Sequence, residues 1–216
     1  MSNYQKIYFV LLGTTFFLSV WRNKDTSLRI FTILLSISFI TEIINYFTYK
    51  FLHNQTIENF IYQIYIPVEF ALLALFFFEN TNNLFFKRII MASIFLFFII
   101  DFIIGYNVGF NIFPGHVLNL EGFFITIMSA NLLMNLPFDF KTPIFKIPFL
   151  WIGLGLLLYH SSNFIYNGLY NYLLSNKPHI HNLLYDVMMK VPNYLLYFFL
   201  SIGFICSQPT KILLSQ

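Results

Sequence analysis

Seven apolar stretches, each close to the length that crosses a lipid hydrocarbon core, follow one another with only short polar connections between them. They cover about 4–20, 30–49, 60–78, 89–104, 118–136, 148–166 and 183–206. In lipid every backbone N–H and C=O must be satisfied within the protein, so apolar runs of this length fold as helices. The fold class read from the chain is therefore all-α: a polytopic transmembrane helix bundle of seven spans, with residues 1–216 forming a single integral membrane domain. The spans consume nearly all of the chain, which excludes a separate soluble domain.

The connections carry turn-forming residues: WRNKDTSL from Trp21, ENTNN from Glu79, FPG from Phe113, PFDFK from Pro137 and SNKPHIH from Ser175. The fourth stretch is the shortest and ends at Asp101 and Gly105, so six spans with an interfacial segment is the alternative count. Composition agrees with the membrane assignment, since 58% hydrophobic and only 10% charged residues, with a mean hydropathy of +0.70, exceed what a soluble core needs. The net charge of +3 comes without any basic run, which argues against nucleic acid as a partner. A lone cysteine, Cys206, forms no internal disulfide and leaves no cysteine cluster for a metal.

Orientation follows from the basic residues. The side of the first connection holds Arg22, Lys24, Arg29, Lys87, Arg88, Lys141, Lys146 and Lys211, whereas the other side holds Lys6, Lys50 and Lys177. This places the N-terminus outside and the C-terminus in the cytoplasm, with the bacterial inner membrane as the expected location. Ser19-Val20-Trp21 offers no small-x-small cleavage pattern, so the first stretch reads as a retained span and not a signal peptide. The halves of the chain share no paired glycine breaks or matching polar signatures, which argues against an inverted-repeat transporter.

With that orientation, the ionisable residues inside the spans fall in the outer half of the membrane. Glu42 lies just past the middle of the second span, with Asn45, Tyr46 and Tyr49 following at i+3, i+4 and i+7 on one face. Glu69 sits mid-span in the third helix below Tyr62 and Tyr65. Asp101 and Glu121 lie near the outer ends of spans four and five, where solvation accounts for them. His160 is followed by Asn163 at i+3, and Asp186, Lys190 and Asn193 share one face of the last span. A carboxylate near the bilayer middle must be protonated, paired or hydrated, so Glu42 and Glu69 are the leading candidates for function. The expected pocket comprises Glu42, Tyr46, Tyr65, Glu69, His160, Asn163, Asp186, Lys190 and Asn193, with no metal and no cofactor required.

Three resemblances bear on its use. The run DVMMKV (186–191) resembles the last helix of microbial rhodopsins, in which an Asp lies four residues before the retinal-binding Lys. That resemblance implies retinal on Lys190 with Asp186 in its counter-ion. The third and sixth spans carry IYIPVEF and WIGLGLLLYH in place of that family's Arg-x-x-Asp and Trp-x-x-Tyr-Pro patterns. The topology is similar to that of the ceramidase and progestin-receptor group, which implies zinc at His160 and lipid hydrolysis, but the last span lacks a His-x-x-x-His pair and HIH (179–181) falls in a loop.

The runs NFIYQIYIPVEF (59–70), PFLWIGLGLLLYHSSNF (148–164) and NYLLYFFLSIGFIC (193–206) resemble a set of small seven-span membrane proteins of the Bacteroidetes kind. This implies the architecture and a sensory role beside a signalling protein. The reading is a multi-pass membrane protein with an outward-facing polar pocket, used for sensing a small amphipathic ligand or for pairing with a separate membrane signalling protein. The alternative is an intramembrane lipid-modifying enzyme.

Overall fold

The computed structural model describes residues 3–22, 25–110, 112, 114–136, 143–176 and 178–207. They form α1 (Asn3–Arg22), α2 (Thr26–Phe47), α3 (Gln55–Glu79), α4 (Leu84–Val108), α5 (Gly115–Met134), α6 (Pro148–Asn176), α7 (Pro178–Tyr185) and α8 (Val191–Cys206). A π-helical turn, Thr48–Leu52, extends α2, and a second, Asp186–Lys190, joins α7 and α8 into one rod. There is no strand among the described residues. Among the described residues five segments are long and apolar enough to cross a membrane: Thr26–Leu52, Gln55–Glu79, Leu84–Val108, Gly115–Met134 and Ile180–Cys206. Such a set of apolar helices fits a protein embedded in a membrane.

The helices outrun the apolar stretches that announced them, because polar residues in the connections cap them. Asn54 Oδ1 accepts from the backbone N–H groups of Thr56 and Ile57, and Asn83 Oδ1 does the same for Phe85 and Phe86. The Asn83 cap starts α4 five residues before the apolar run and places Lys87 and Arg88 on its first turns. At 25 residues, α4 is about 37 Å long and the most apolar of the five, which corrects the expectation of a short fourth span. HIH (179–181) is likewise helical from Pro178 onward, not a loop, and the His181 imidazole Nε2 lies 3.0 Å from the Tyr166 hydroxyl.

Packing runs as a closed ring in which α1 lies against α2, α2 against α3, α3 against α5, α5 against α6, α6 against α8, and α8 against α1. The fourth helix sits outside this ring, on α3 and α5, held by Phe97 stacked on Phe70 at 4.1 Å between ring centres. Glycines bring the helices of the α5–α6–α8 side close, as small residues do where van der Waals contact drives helix association in lipid. A Cβ on Gly122 would stand 3.0 Å from the His160 carbonyl oxygen, and one on Gly203 would stand 3.2 Å from that of Pro148. The core beneath is aromatic and dry, with Phe31 edge-on to Phe76 at 4.6 Å. Large apolar side chains such as Phe17, Phe95, Phe102 and Phe198 point outward, as a lipid-facing surface requires.

Candidate functional site

Closing the ring leaves a hollow at the end of the bundle that carries the start of α1, the end of α2 and the start of α3. It is a cavity of about 420 Å³ lined from every helix of the ring, while α4 contributes nothing to it. Two of the sequence candidates from each of two helices meet there: Glu42 and Tyr46 from α2, Tyr65 and Glu69 from α3. Asn193 joins them from α8. Glu42 is the hub of a tyrosine network, its Oε1 accepting from the hydroxyls of Tyr8 at 3.2 Å and Tyr62 at 3.3 Å. The Tyr8 hydroxyl in turn stands 3.5 Å from that of Tyr197. Asn193 Nδ2 donates to the Tyr4 hydroxyl at 3.1 Å, and the hydroxyls of Tyr65 and Ser38 are 2.7 Å apart.

The chemistry of the wall is one-sided. Among the described residues its ionisable members other than tyrosine are Glu42, Glu58 and Glu69, with no Lys, Arg or His in the lining. Asn45, only 6% exposed, also lines the cavity beside Tyr62, and neither its Nδ2 nor its Oδ1 has a hydrogen-bond partner within 3.5 Å. An unsatisfied buried amide is costly, on the order of 1–3 kcal/mol per group, and native structures rarely tolerate one without a compensating role.

The remaining candidates stand elsewhere. His160 is buried against α5 with its ring edge-on to Tyr159, and it is Tyr159, one residue earlier, that reaches the cavity. Asn163 is buried outside the lining, with its Oδ1 unpartnered. Asp186 and Lys190 form an ion pair at the surface, and the Lys190 ammonium lies over the outer faces of Tyr4 and Tyr185. Asp101 and Glu121 are not solvated at an interface as their depth suggested. Gln63 Nε2 donates to Asp101 at 2.6 Å beneath α4, and Glu121 is 2% exposed with its Oε1 unpartnered.

Tyr4, Tyr8, Tyr159 and Tyr197 were missed from the sequence. The signal was present in part, since Tyr4 and Tyr8 are spaced i, i+4 on α1 and Tyr197 lies four residues after Asn193. Among the described residues no group of three or more His, Cys, Asp or Glu side chains is arranged to hold a metal ion. The expectation for His179, like the basic residues Lys24, Lys141, Lys177 and Lys211, lies outside the described residues or side chains. Compared with protein-family models, curated proteins and solved structures, the chain matches none of them.

Proposed function

We propose that the protein is a multi-pass membrane receptor-like module whose cavity opens to the outside of the inner membrane and binds a small amphipathic ligand between its helices. Binding there would bias the packing of the ring, and a separate membrane protein would read the change. The observation that carries this reading is the convergence of Glu42, Glu69 and the unpartnered Asn45 on one cavity large enough for a small molecule. Two further features support it. Both π-helical turns, Thr48–Leu52 and Asp186–Lys190, sit at the cavity end, and such turns concentrate at functional sites. Among the described basic residues, Arg22, Arg29, Lys87, Arg88 and Lys146 belong to the far end, against Lys6, Lys50 and Lys190 at the cavity end, which by the positive-inside rule turns the cavity outward.

Cysteine labelling tests this in intact cells, in a Cys206→Ala background. A membrane-impermeant thiol reagent is expected to label Tyr46→Cys and Asn193→Cys from outside, and to label Asn135→Cys at the opposite end only after permeabilisation. The inverse pattern would reverse the orientation, and no labelling at Tyr46→Cys or Asn193→Cys in either condition would show the cavity to be sealed.

A further inference from the structure

We infer that the ligand of this cavity is a small organic cation, an ammonium group seated among tyrosine rings above Glu42 and Glu69; the inference rests on the ligand-binding reading above and adds the ligand's chemical class. The carboxylates of the lining have no basic partner within it, and Glu42 is bonded by two neutral phenols. An anion entering would meet three carboxylates. A neutral molecule would gain hydrogen bonds from them but no charge attraction, whereas a cation is attracted by the acids and by the aromatic wall that Tyr8, Tyr62, Tyr65, Tyr159 and Tyr197 contribute.

Asn45 adds a polar amide to the same wall beside Tyr62, and its Oδ1, which has no hydrogen-bond donor within 3.5 Å, is an acceptor that a small side-chain shift would offer to an N–H of a primary or secondary ammonium. The rim already shows the affinity of these rings for such a charge. Lys190 Nζ lies 5.3 Å from the Tyr4 ring centre and 5.2 Å from that of Tyr185, and Lys50 Nζ lies 5.7 Å from that of Tyr46, and all three rings line the cavity. These lysines approach from outside the lining, and the charge of Lys190 is met by Asp186. Neither lysine therefore pairs with Glu42 or Glu69. A volume of about 420 Å³ holds a substituted amine with room to spare and far exceeds a bare metal ion. An ammonium reaches such a site either as a free amine or as the headgroup of an ethanolamine lipid.

The test uses the full chain with Cys206→Ala, in nanodiscs of phosphatidylglycerol. Tyr46→Cys is reacted with trimethylammonium-ethyl and sulfonato-ethyl methanethiosulfonates, each rate normalised to that of Phe51→Cys, an exposed position at the same end outside the lining. The cationic reagent is expected to be favoured about tenfold, the scale of one partly desolvated charge contact. Glu42→Gln with Glu69→Gln should bring the ratio near unity. The Gln at 42 keeps an oxygen for Tyr8 and Tyr62, so the network survives the loss of charge.

Benzyltrimethylammonium should slow the labelling of Tyr46→Cys while 3,3-dimethylbutanol does not, a readout that stands even if the double Gln variant fails to purify. Slowing by phosphatidylethanolamine in the nanodisc would identify a lipid headgroup as the source of the ammonium, and its absence a free amine. Equal rates for the two reagents, or a preference for the anionic one, would overturn the cation assignment while leaving the pocket. Failure of both reagents at Tyr46→Cys, with Phe51→Cys reacting normally, would overturn both.

Discussion

The bundle is hollow at both ends, and the two hollows differ in what their polar groups are doing. At the end opposite the tyrosine cavity, about 280 Å³ is lined by Asn80, Thr81, Asn82, Asn83, Asn131 and Asn135 together with Phe77, Phe86, Met128 and Leu132. That lining holds no ionisable side chain, and several of its amides serve the helix ends. Asn80 Nδ2 donates to the Phe76 carbonyl at 2.7 Å, Asn135 Nδ2 to that of Asn131 at 2.8 Å, and Asn83 caps α4. In the tyrosine cavity, by contrast, the Asn45 amide has no partner within 3.5 Å and three acidic residues belong to the lining. Polarity and volume alone do not mark a site. What separates the two hollows is leftover hydrogen-bonding capacity that lies in the wall of a cavity, since Asn163 and Glu121 also keep unpartnered oxygens but line neither.

That contrast breaks or sharpens under substitution. The largest effect is expected at the floor between the hollows, where Phe70 is 0% exposed and stacks on Phe97. In lipid the transfer term is small, but the void left by Phe70→Ala should still cost roughly 2–3 kcal/mol, read as a drop in the thermal denaturation midpoint of purified protein. Next comes Asn83→Ala, which removes the α4 cap and should cost about 1 kcal/mol by the same measurement. Smallest, and opposite in sign, is Asn45→Leu, which replaces an amide with no partner within 3.5 Å and should leave stability unchanged or raised by less than about 1 kcal/mol. A loss at Asn45 larger than that at Asn83 would show that the cavity amide is structural and erase the distinction between the two ends.

Position along the bundle axis was legible in the sequence for the polar residues that share a cavity, because the apolar runs set the approximate level of each residue along its helix. Glu42, Tyr46, Tyr65 and Glu69 were found this way, since in each helix the acid and its tyrosines repeat at i, i+3, i+4 or i+7 and so identify their own inward face. Azimuth was legible only where such repetition existed. His160 and Tyr159 lie at nearly the same depth but about 100° apart around α6, and without a repeating partner the more reactive residue was chosen over the one that faces the cavity. Glu121 and Asp101 were misplaced for a related reason. Closeness to an apolar run's end suggested water, whereas α4 and α6 extend past those levels and cover them. The closing of α1 onto α8, which brings in Tyr4 and Tyr8, is a long-range pairing that no local spacing announces.

The π turn at Asp186–Lys190 places an unusual demand on the chain's length. With i→i+5 bonding it accommodates one residue more than an α-helical turn, and everything beyond it is rotated to suit. Deleting a single residue there would let the turn close as ordinary α-helix and leave Asn193 and Tyr197 near their present azimuth, whereas inserting one would swing them by roughly 100° about the helix axis, away from Tyr4 and Tyr8, even though the turn itself contributes only Met189 to the wall. Along this stretch natural variants should therefore tolerate exchanges and single losses in DVMMK better than insertions.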